Sequence, residues 1–408
     1  MEQFNPTLAR LNKDPYPVYR QYREADPVHL GKALYPEYPE SWYLFRHEDV
    51  ESILRNRIFI NQRSKTSASS ACPVATPSRR AFWETLEQSL LLVDPPDHTS
   101  NRSLVNEPFS RKSVQQLVPF IQETTEAILD KAISHGDMDI VSDFSAPLPV
   151  TVIARIMGLQ ISDHRKIRAW SMPIADAMAS EVTPEAYDAA LEMVDDFTHH
   201  LQQVFREKRT NPGDDLISSL LHAQDDGELD EYRLVSMCSQ IMVAGQETTI
   251  DAIGNAILAL LQHPDQLEEL QSSPELIANA AQELLRYNSP IQMAIIRFPT
   301  EDVEIGGKQI RRGDGVTAIL GSANHDPERF DNPDKLDITR SFKGRDVIFG
   351  QGIHRCLGAH LAQVELQIAL ETLLRRVTSL QLKSDQLTWR QNVVFRGLTS
   401  LPVSFQAA

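Results

Sequence analysis

The sequence predicts a mainly α-helical fold with a small β portion. Most of the chain carries apolar residues at helical spacing, most clearly over residues 113–136 and 184–209. A further stretch, from Asp230 to His263, is apolar on nearly every side. Strand-like segments are short and flank the helices, at residues 27–30, 302–319 and 401–405. We expect one domain that spans residues 1–408.

The helical segments carry recognisable end signals. Residues 113–136 finish at a glycine, and Pro264 is expected to end the stretch from Asp230 to His263. At 1.5 Å per residue that stretch would be roughly 50 Å long, enough to cross a whole domain. Because a helix that is apolar on every face belongs in a core, we expect it to run through the middle of the protein.

The length, composition and net charge of the chain restrict the class of protein. The chain has 408 residues, 41% hydrophobic and 24% charged, which is ordinary for a globular protein. No apolar run of about 18 residues and no signal-peptide pattern stands out, so we expect a cytoplasmic protein without a membrane span. The net charge of -16 argues against nucleic-acid binding. Residues 64–78, rich in small and polar side chains, are predicted as a mobile loop, with a linker as the alternative.

The three cysteines, Cys72, Cys238 and Cys356, are too few and too scattered for a disulfide framework. Cys356 lies in FGQGIHRCLGAHLA, where a glycine-rich loop turns into a segment of helical period. Backbone amides and the positive end of the helix dipole should lower the pKa of this thiol and favour the metal-binding thiolate. The alternative is a buried free cysteine beside a glycine turn.

A polar interruption, AGQETT from Ala244 to Thr249, lies midway along the long apolar stretch. Glycine costs about 1 kcal/mol relative to alanine inside a helix, and an unpaired buried carboxylate costs several more. The interruption therefore predicts a functional site, with a locally opened helix. The alternative is a polar kink whose hydrogen bonds are all satisfied.

The string F-G-x-G-x-H-x-C-L-G, with A-G-x-E-T at the expected distance before it, resembles the cytochrome P-450 superfamily. The resemblance extends from DPYPVYRQYREADPVH near the start to FRGLTSLPVSF at the end. It implies the P-450 fold, with haem b (iron protoporphyrin IX) between the long central helix and the cysteine-loop helix. It also implies that Cys356 is the axial ligand of the iron. A thiolate ligand favours cleavage of the O–O bond.

The same resemblance assigns residues to the cofactor. His98 and Arg102, four apart in a helix opened by two prolines, are implied as propionate contacts, as are Arg297 and His354. Gly245 is implied to leave room for dioxygen. The implied cofactor-binding residues are His98, Arg102, Ala244, Gly245, Arg297, Phe349, Gly350, His354, Cys356 and Gly358.

Glu247 and Thr248 are implied as the acid–alcohol pair of the catalytic site. Oxygen activation needs protons that reach the reacting oxygen without flooding the site with water. A hydroxyl can hold the oxygen or a water molecule, while a carboxylate relays protons from solvent. Thr249 is expected to have no direct role.

Glu283 and Arg286 lie three apart on one predicted helix and resemble the structural ion pair of the superfamily. The resemblance gives Arg340, in DITR, as the third member of this cluster, in preference to Arg329 in PERF. The alternative is a solvated surface pair, worth well under 1 kcal/mol.

The resemblance implies a monooxygenase that receives electrons from NAD(P)H through a separate ferredoxin or flavodoxin and its reductase. Parts of residues 64–92, together with apolar residues further on, are the implied substrate pocket; alternatively, these apolar residues simply fill the core. Their character predicts a hydrophobic substrate such as a fatty acyl chain, polyketide, terpenoid or steroid, free or bound to a carrier protein. The implied pocket residues are Met242, Val243, Ile291, Met293, Ala294, Ile295, Val394 and Phe395.

Two other functions fit a haem protein of this size. One is a peroxygenase driven by hydrogen peroxide, and the other is a haem sensor or carrier without catalysis. The Glu247–Thr248 pair argues against both. Members of the superfamily that use peroxide natively typically lack this pair, and a sensor or carrier needs no proton relay. Absence of oxygen-dependent turnover with any electron donor would favour the sensor.

Overall fold

The computed structural model describes residues 2–7, 13–34, 40–66, 76–160, 164–178, 182–342 and 346–408. Helices dominate these residues, as the sequence predicts. The helices, α1 to α15 in chain order, are Tyr16–Ala25, His47–Arg55, Pro77–Leu86, Asp97–Val105, Arg111–Ile133, Pro147–Met157, His164–Ala177, Pro184–Thr210, Leu216–Asp225, Glu231–Ala244, Glu247–Gln262, Pro264–Ser272, Ile277–Tyr287, Leu320–Ala323 and Ala359–Arg376.

The strands are short and form small sheets at the periphery of the helices. Strands β1 to β12 are Val28–Lys32, Glu40–Leu44, Phe59–Ile60, Asp137–Asp139, Phe298–Pro299, Val303–Ile305, Lys308–Ile310, Val316–Ala318, Val377–Leu382, Thr388–Trp389, Leu398–Ser400 and Pro402–Ala407. Two sheets in the described part of the chain have three strands, in the orders β1-β2-β8 and β4-β12-β9. Strand β2 pairs with β8 in parallel, with Trp42 opposite Val316. The small β portion is therefore confirmed.

The predicted long helix is present as two consecutive helices, α10 and α11, with an interruption at Gly245 and Gln246. Asp230 caps the start of α10 by accepting a hydrogen bond from the amide of Arg233. From Thr249 to Leu260 every residue of α11 is buried. Helix α11 packs against α6, α7, α13 and α15. The expectation of a central core helix is confirmed, and the single continuous helix is corrected to two.

The other predicted elements are also found, with small changes at their ends. The segment predicted at residues 113–136 corresponds to α5, which begins at Arg111 because Ser110 caps it and ends at Ile133. The segment predicted at residues 184–209 corresponds to α8, which extends to Thr210. The loop predicted at residues 64–78 is described only in part. Residues 67–75, including Cys72, lie outside the described residues.

One helical stretch, Ile140–Met157, is long and apolar enough to cross a membrane by length and composition alone. In the fold 78% of it is buried. Its apolar character is therefore accounted for by the core that it helps to form.

A buried ion cluster joins α13 to the loop after α14. Arg286 donates from Nε and Nη2 to the two carboxylate oxygens of Glu283, at 2.7 and 2.8 Å, and both side chains are 0% exposed. Arg340 donates from Nε to the same carboxylate at 3.0 Å. Arg286 also donates to the backbone carbonyls of Asn324 and Pro333, both at 2.8 Å. The cluster therefore fastens two distant segments, and the surface-pair alternative is excluded.

Candidate active site

The loop that leads to α15 is folded so that Cys356 lies just before the first turn of that helix. The amide of Cys356 donates to the carbonyl of Phe349 at 3.0 Å, which closes the loop on itself. Gly350 and Gly352 have positive φ angles of 67° and 74°. A side chain at Gly352 would also lie 2.2 Å from the carbonyl oxygen of Leu54. The loop therefore needs glycine at these positions.

Cys356 is solvent-accessible, although protein surrounds it. Burial raises the pKa of its thiol, while the backbone N–H of Gly358 and the guanidinium groups of Arg355 and Arg102 act in the opposite direction. The expectation of a lowered pKa is therefore wrong for the protein by itself. The helix amide contributes as expected, but burial outweighs it. Binding to a metal ion removes the proton from a thiol outright.

Four cationic or basic side chains gather near this loop. The rings of His98 and His354 are 4.3 Å apart between centroids, and Nε2 of His354 lies 3.9 Å from Asp94 Oδ1. Arg102 donates to the carbonyl of Ile353 at 3.1 Å, which ties α4 to the cysteine loop. The propionate contacts expected from the sequence thus converge on one place.

Arg102 and Arg297 bring two positive charges to this cluster, and Asp94 opposes them with one negative charge. Arg297 is 6% exposed, and no carboxylate of the described residues lies within ion-pair distance of it. Burial lowers the pKa of Arg297 to about 10. Burial and the positive charges of His354 and Arg102 lower the pKa of His98 to about 4, and Nε2 of His98 has no hydrogen-bond partner. A group with two carboxylates would satisfy these side chains, so the residues fit haem propionates.

The interruption between α10 and α11 is held open by side chains. Nε2 of Gln246 donates to the carbonyl of Met242 at 2.9 Å, and Oγ1 of Thr248 donates to the carbonyl of Ala244 at 3.3 Å. Ala244 is exposed and Thr248 is partly exposed, although α10 and α11 are otherwise mostly buried. Thr249 is 4% exposed. Thr248 is therefore the threonine whose hydroxyl can meet a bound molecule.

Gly245 is required for helix packing. A Cβ atom at this position would lie 2.6 Å from Cδ1 of Ile153 in α6 and 2.8 Å from the carbonyl oxygen of Ile241. This packing is a reason for glycine in addition to the expected one, and the role of Gly245 in leaving room for dioxygen stays a prediction. Ala244 is the small residue that borders the accessible space.

Glu247 is buried and held on both oxygens. Oε1 accepts a hydrogen bond from Oγ of Ser171 at 2.8 Å, and Oε2 accepts one from Nη1 of Arg390 at 2.9 Å. Ser171 belongs to α7, and Arg390 follows β10. Neither residue was expected from the sequence, because no local pattern relates them to Glu247. Glu247 is 1% exposed, so its carboxylate is separated from solvent by these neighbours.

A second carboxylate lies one helical turn further along α11. Asp251 is 3% exposed, and its Oδ2 lies 3.4 Å from Nη1 of Arg390. Arg390 also donates from Nη2 to Asp176 Oδ1 at 2.7 Å. Asp251 could have been noticed in the sequence, since a carboxylate four residues after Glu247 in an apolar helix shares its face. No comparable spacing in the sequence relates Asp176 or Arg390 to Glu247.

The implied substrate pocket is only partly accessible. Ile291, Ala294 and Ile295 are partly exposed, and an isolated bridge pairs Ile291 with Phe395. Met242 and Met293 are 0% and 1% exposed and belong to the core. These two methionines are therefore corrected to core residues. The remaining implied residues are nearly buried, at 7% for Val243, 8% for Val394 and 9% for Phe395.

The comparisons with known proteins give one family. The Cytochrome P450 family profile matches residues 158–400. The chain is 39% identical over 368 residues to Cytochrome P450 107B1 of Saccharopolyspora erythraea, covering 89% of each chain. It is 37% identical over 407 residues to Polyketide biosynthesis cytochrome P450 PksS of Bacillus subtilis, covering 98% of each.

Solved structures agree. The fold is similar to that of P450BioI in complex with an acyl carrier protein ligated to hexadec-9Z-enoic acid, with a TM-score of 0.89 and 34% identity. That similarity covers 98% of this chain and 100% of the other.

Proposed function

The chain belongs to the cytochrome P450 family, and on that premise we propose that this monooxygenase oxidises a hydrophobic small molecule with electrons from a separate redox protein. The excess positive charge of Arg102 and Arg297 over Asp94, beside the rings of His98 and His354, is the observation that carries the proposal, because it fits a dianionic cofactor beside Cys356. Members of this family use haem, which when bound supplies the activation of dioxygen. We propose one domain over residues 1–408, working in the cytoplasm.

The residues proposed to hold the haem come from several elements. Cys356 would be the ligand of the iron, with the Gly358 amide donating to its sulfur. The four basic residues would neutralise the propionates. At Gly350 and Gly358 no atom lies within 4 Å of the position of a Cβ, so the loop leaves space there for a flat group. Ala244 and Phe349 would border the same group.

Thr248 and Glu247 are proposed to control the protons. Thr248 is partly exposed, and among the described residues its Oγ1 donates one weak hydrogen bond, to the carbonyl of Ala244 at 3.3 Å. It is therefore free to orient a molecule of water or a reacting oxygen. Glu247 is proposed to pass protons toward this hydroxyl, and its burial excludes bulk water from the route.

The substrate is proposed to be hydrophobic, of the fatty acyl, polyketide, terpenoid or steroid type. The partly exposed lining residues Ile291, Ala294, Ile295 and Val393 are all apolar. One relative acts in polyketide biosynthesis, and one similar structure holds a hexadecenoyl carrier protein. These relatives favour a fatty acyl or polyketide substrate, free or carrier-bound. A spectral-shift screen of a lipophilic compound library would test the substrate class.

Thr248→Ala is expected to uncouple the reaction. Haem binding, substrate binding and iron reduction should stay nearly intact, because the hydroxyl contacts neither Cys356 nor the basic cluster. NAD(P)H should still be consumed, with hydrogen peroxide released in place of product. Loss of one positioned proton-transfer group typically costs about 10²–10⁴ in rate. The measurement is the ratio of product formed to NAD(P)H oxidised, with hydrogen peroxide assayed in parallel.

Thr248→Ser is the matched control, because it keeps a hydroxyl at the same position and should retain most of the wild-type ratio. Glu247→Gln should slow proton delivery with a larger solvent isotope effect. A Thr248→Ala enzyme that keeps the wild-type ratio would show that Thr248 is not the proton-positioning residue. If the wild-type protein binds haem but forms no product from oxygen with any electron donor, the proposed monooxygenase function is contradicted.

The electron donor is proposed to be an acidic ferredoxin or a flavodoxin, supplied with electrons by its own reductase. The cysteine loop presents Arg355 as an exposed cation, and Arg102 lies beside it half-buried. Charge pairing at such a surface acts mainly on the association rate. Reduction by an acidic ferredoxin should therefore slow as salt is added, over the range in which the Debye length falls from about 30 to 10 Å.

Arg355→Gln should flatten this salt dependence, as measured by stopped-flow reduction. Arg206→Gln, an exposed arginine on the distant helix α8, is the control and should behave as wild type. Salt-independent reduction of the wild-type protein would place the donor on an uncharged interface.

A further inference from the structure

A second acid accompanies Glu247 inside the protein. We propose, on the basis of the proton relay proposed above, that Asp251 and Asp176, held by Arg390, pass protons from an open cleft to Glu247. Asp251 is the buried donor in this route and Asp176 its contact with solvent. Arg390 positions all three carboxylates and stays charged throughout.

The distances arrange the three acids around one guanidinium. Nη1 of Arg390 lies 2.9 Å from Glu247 Oε2 and 3.4 Å from Asp251 Oδ2, so these two oxygens are near enough for one water molecule to join them. Nη2 lies 2.7 Å from Asp176 Oδ1. The exposed fractions of the side chains are 1% for Glu247, 2% for Asp251 and 53% for Asp176. The acids therefore form a series from the interior to the surface.

The outer end of this series opens into a wide cleft. The cleft has a volume of about 1880 Å³, and Asp176, Arg390 and Arg168 are among the residues that line it. Its described lining residues include none of the cysteine loop and neither Ala244 nor Thr248. Water in this cleft can therefore reach Asp176 without passing through the side where substrate is proposed to bind.

Burial favours a proton on Asp251. The groups that act on it are the cations Arg390 and Arg168 and the carboxylates Glu247 and Asp176. Burial raises the pKa of Asp251 to about 7, against the opposing effect of Arg390. Asp251 is thus a carboxylic acid for part of the population at neutral pH. Asp251 can give its proton through the bridging water to the carboxylate of Glu247. It then takes a replacement proton from water in the cleft through Asp176, so that one proton enters for each proton delivered.

The backbone beside Asp251 is shaped to this carboxylate. A Cβ at Gly397 would lie 1.8 Å from Oδ1 of Asp251. The backbone at Gly397 therefore lies against Asp251 without a side chain between them. The segment that supplies Arg390 also encloses the Asp251 carboxylate. This enclosure keeps Asp251 apart from bulk water.

The test compares Asp251→Asn with Asp143→Asn, which removes an acid from the same cleft that does not contact Arg390. The first readout needs no turnover: the difference between the infrared spectra of wild type and Asp251→Asn should show the carbonyl band of one carboxylic acid that titrates near pH 7. The difference between wild type and Asp143→Asn should lack this band, because Glu365 and Asp49, whose pKa values burial raises to about 8 and about 6, are common to all three proteins. The second is the solvent isotope effect on product formation, which should rise at least about twofold in Asp251→Asn only.

Stability against pH gives a third readout with a defined sign. The folded protein holds the Asp251 proton up to about pH 7, whereas the unfolded chain releases it near its ordinary pKa of 3.8. Stability due to Asp251 is therefore complete at low pH and declines as the pH rises through this window. The Tm of Asp251→Asn relative to wild type should accordingly increase from pH 5 to pH 8. The relative Tm of Asp143→Asn should not.

Each outcome decides between the proposals. An infrared band and isotope effect that are the same in Asp251→Asn and wild type overturn the route through Asp251, while wild-type product formation still supports the monooxygenase. If wild type forms no product, the function fails, and the infrared and Tm titrations still report on Asp251. If Asp251→Asn does not fold, Asp176→Asn takes its place: an increased isotope effect supports the route, and an unchanged one overturns it.

Discussion

Cys356→Ser is expected to abolish thiolate ligation completely. The cysteine loop presents one accessible sulfur before α15, with the Gly358 amide directed at it. Serine keeps the size of the side chain but provides a hydroxyl in place of the soft thiolate that haem iron requires here. Reduced wild-type protein treated with carbon monoxide should absorb at the position characteristic of a thiolate ligand, and the variant should not.

Cys238→Ala is the matched control. Cys238 is buried in α10, and burial raises the pKa of its thiol to about 12, so it is an inert core residue. This variant should keep the wild-type spectrum at some cost in stability. Retention of the thiolate spectrum in Cys356→Ser would exclude Cys356 as the ligand.

Glu283→Ala is expected to destabilise the protein by about 3–5 kcal/mol. The substitution leaves Arg286 and Arg340 buried without the carboxylate that both now contact. Several backbone carbonyls that the two arginines join would lose their fixed positions, among them those of Asn324 and Pro333. Urea unfolding monitored by circular dichroism gives the change in free energy. Release of haem during the same titration shows whether the cofactor depends on the cluster.

The matched control is Glu51→Ala, which removes an exposed helical pair with Arg55, 3.1 Å away. An exposed pair of this kind contributes about 0–1 kcal/mol. If Glu283→Ala unfolds at the same urea concentration as Glu51→Ala, the buried cluster does not stabilise the fold. Arg286→Ala should also destabilise the protein, because Glu283 keeps Arg340 as its cation but loses Arg286, and the carbonyls of Asn324 and Pro333 lose their donor.

The parts of the site that follow from the sequence are those set by short-range geometry. The glycine-rich loop before Cys356 and the three-residue spacing of Glu283 and Arg286 both depend on neighbours along the chain. The break at Gly245 was predicted for a similar reason, since polar residues in an apolar helix must find local partners. The observed partners are the carbonyls of Met242 and Ala244.

The parts that the sequence did not predict depend on packing between distant segments. Arg390 contacts Glu247 across 143 positions of the chain, and no periodicity relates the two. The direction of the Cys356 pKa was wrong because helix position is visible in the sequence whereas depth of burial is not. The contact of Gly245 with Ile153, in another helix, likewise has no signal in the sequence.

The close approach of Gly397 to Asp251 has a consequence for engineering. Any side chain at residue 397 would occupy the position of the Asp251 carboxylate, since even a methyl carbon would lie 1.8 Å from Oδ1. The effects of substitutions at the two positions are therefore not additive. A library that randomises the C-terminal loop while residue 251 stays aspartate will return glycine at 397. Selecting loop variants with a broader substrate range therefore requires that codons 251 and 397 are randomised together, with a residue smaller than aspartate allowed at 251.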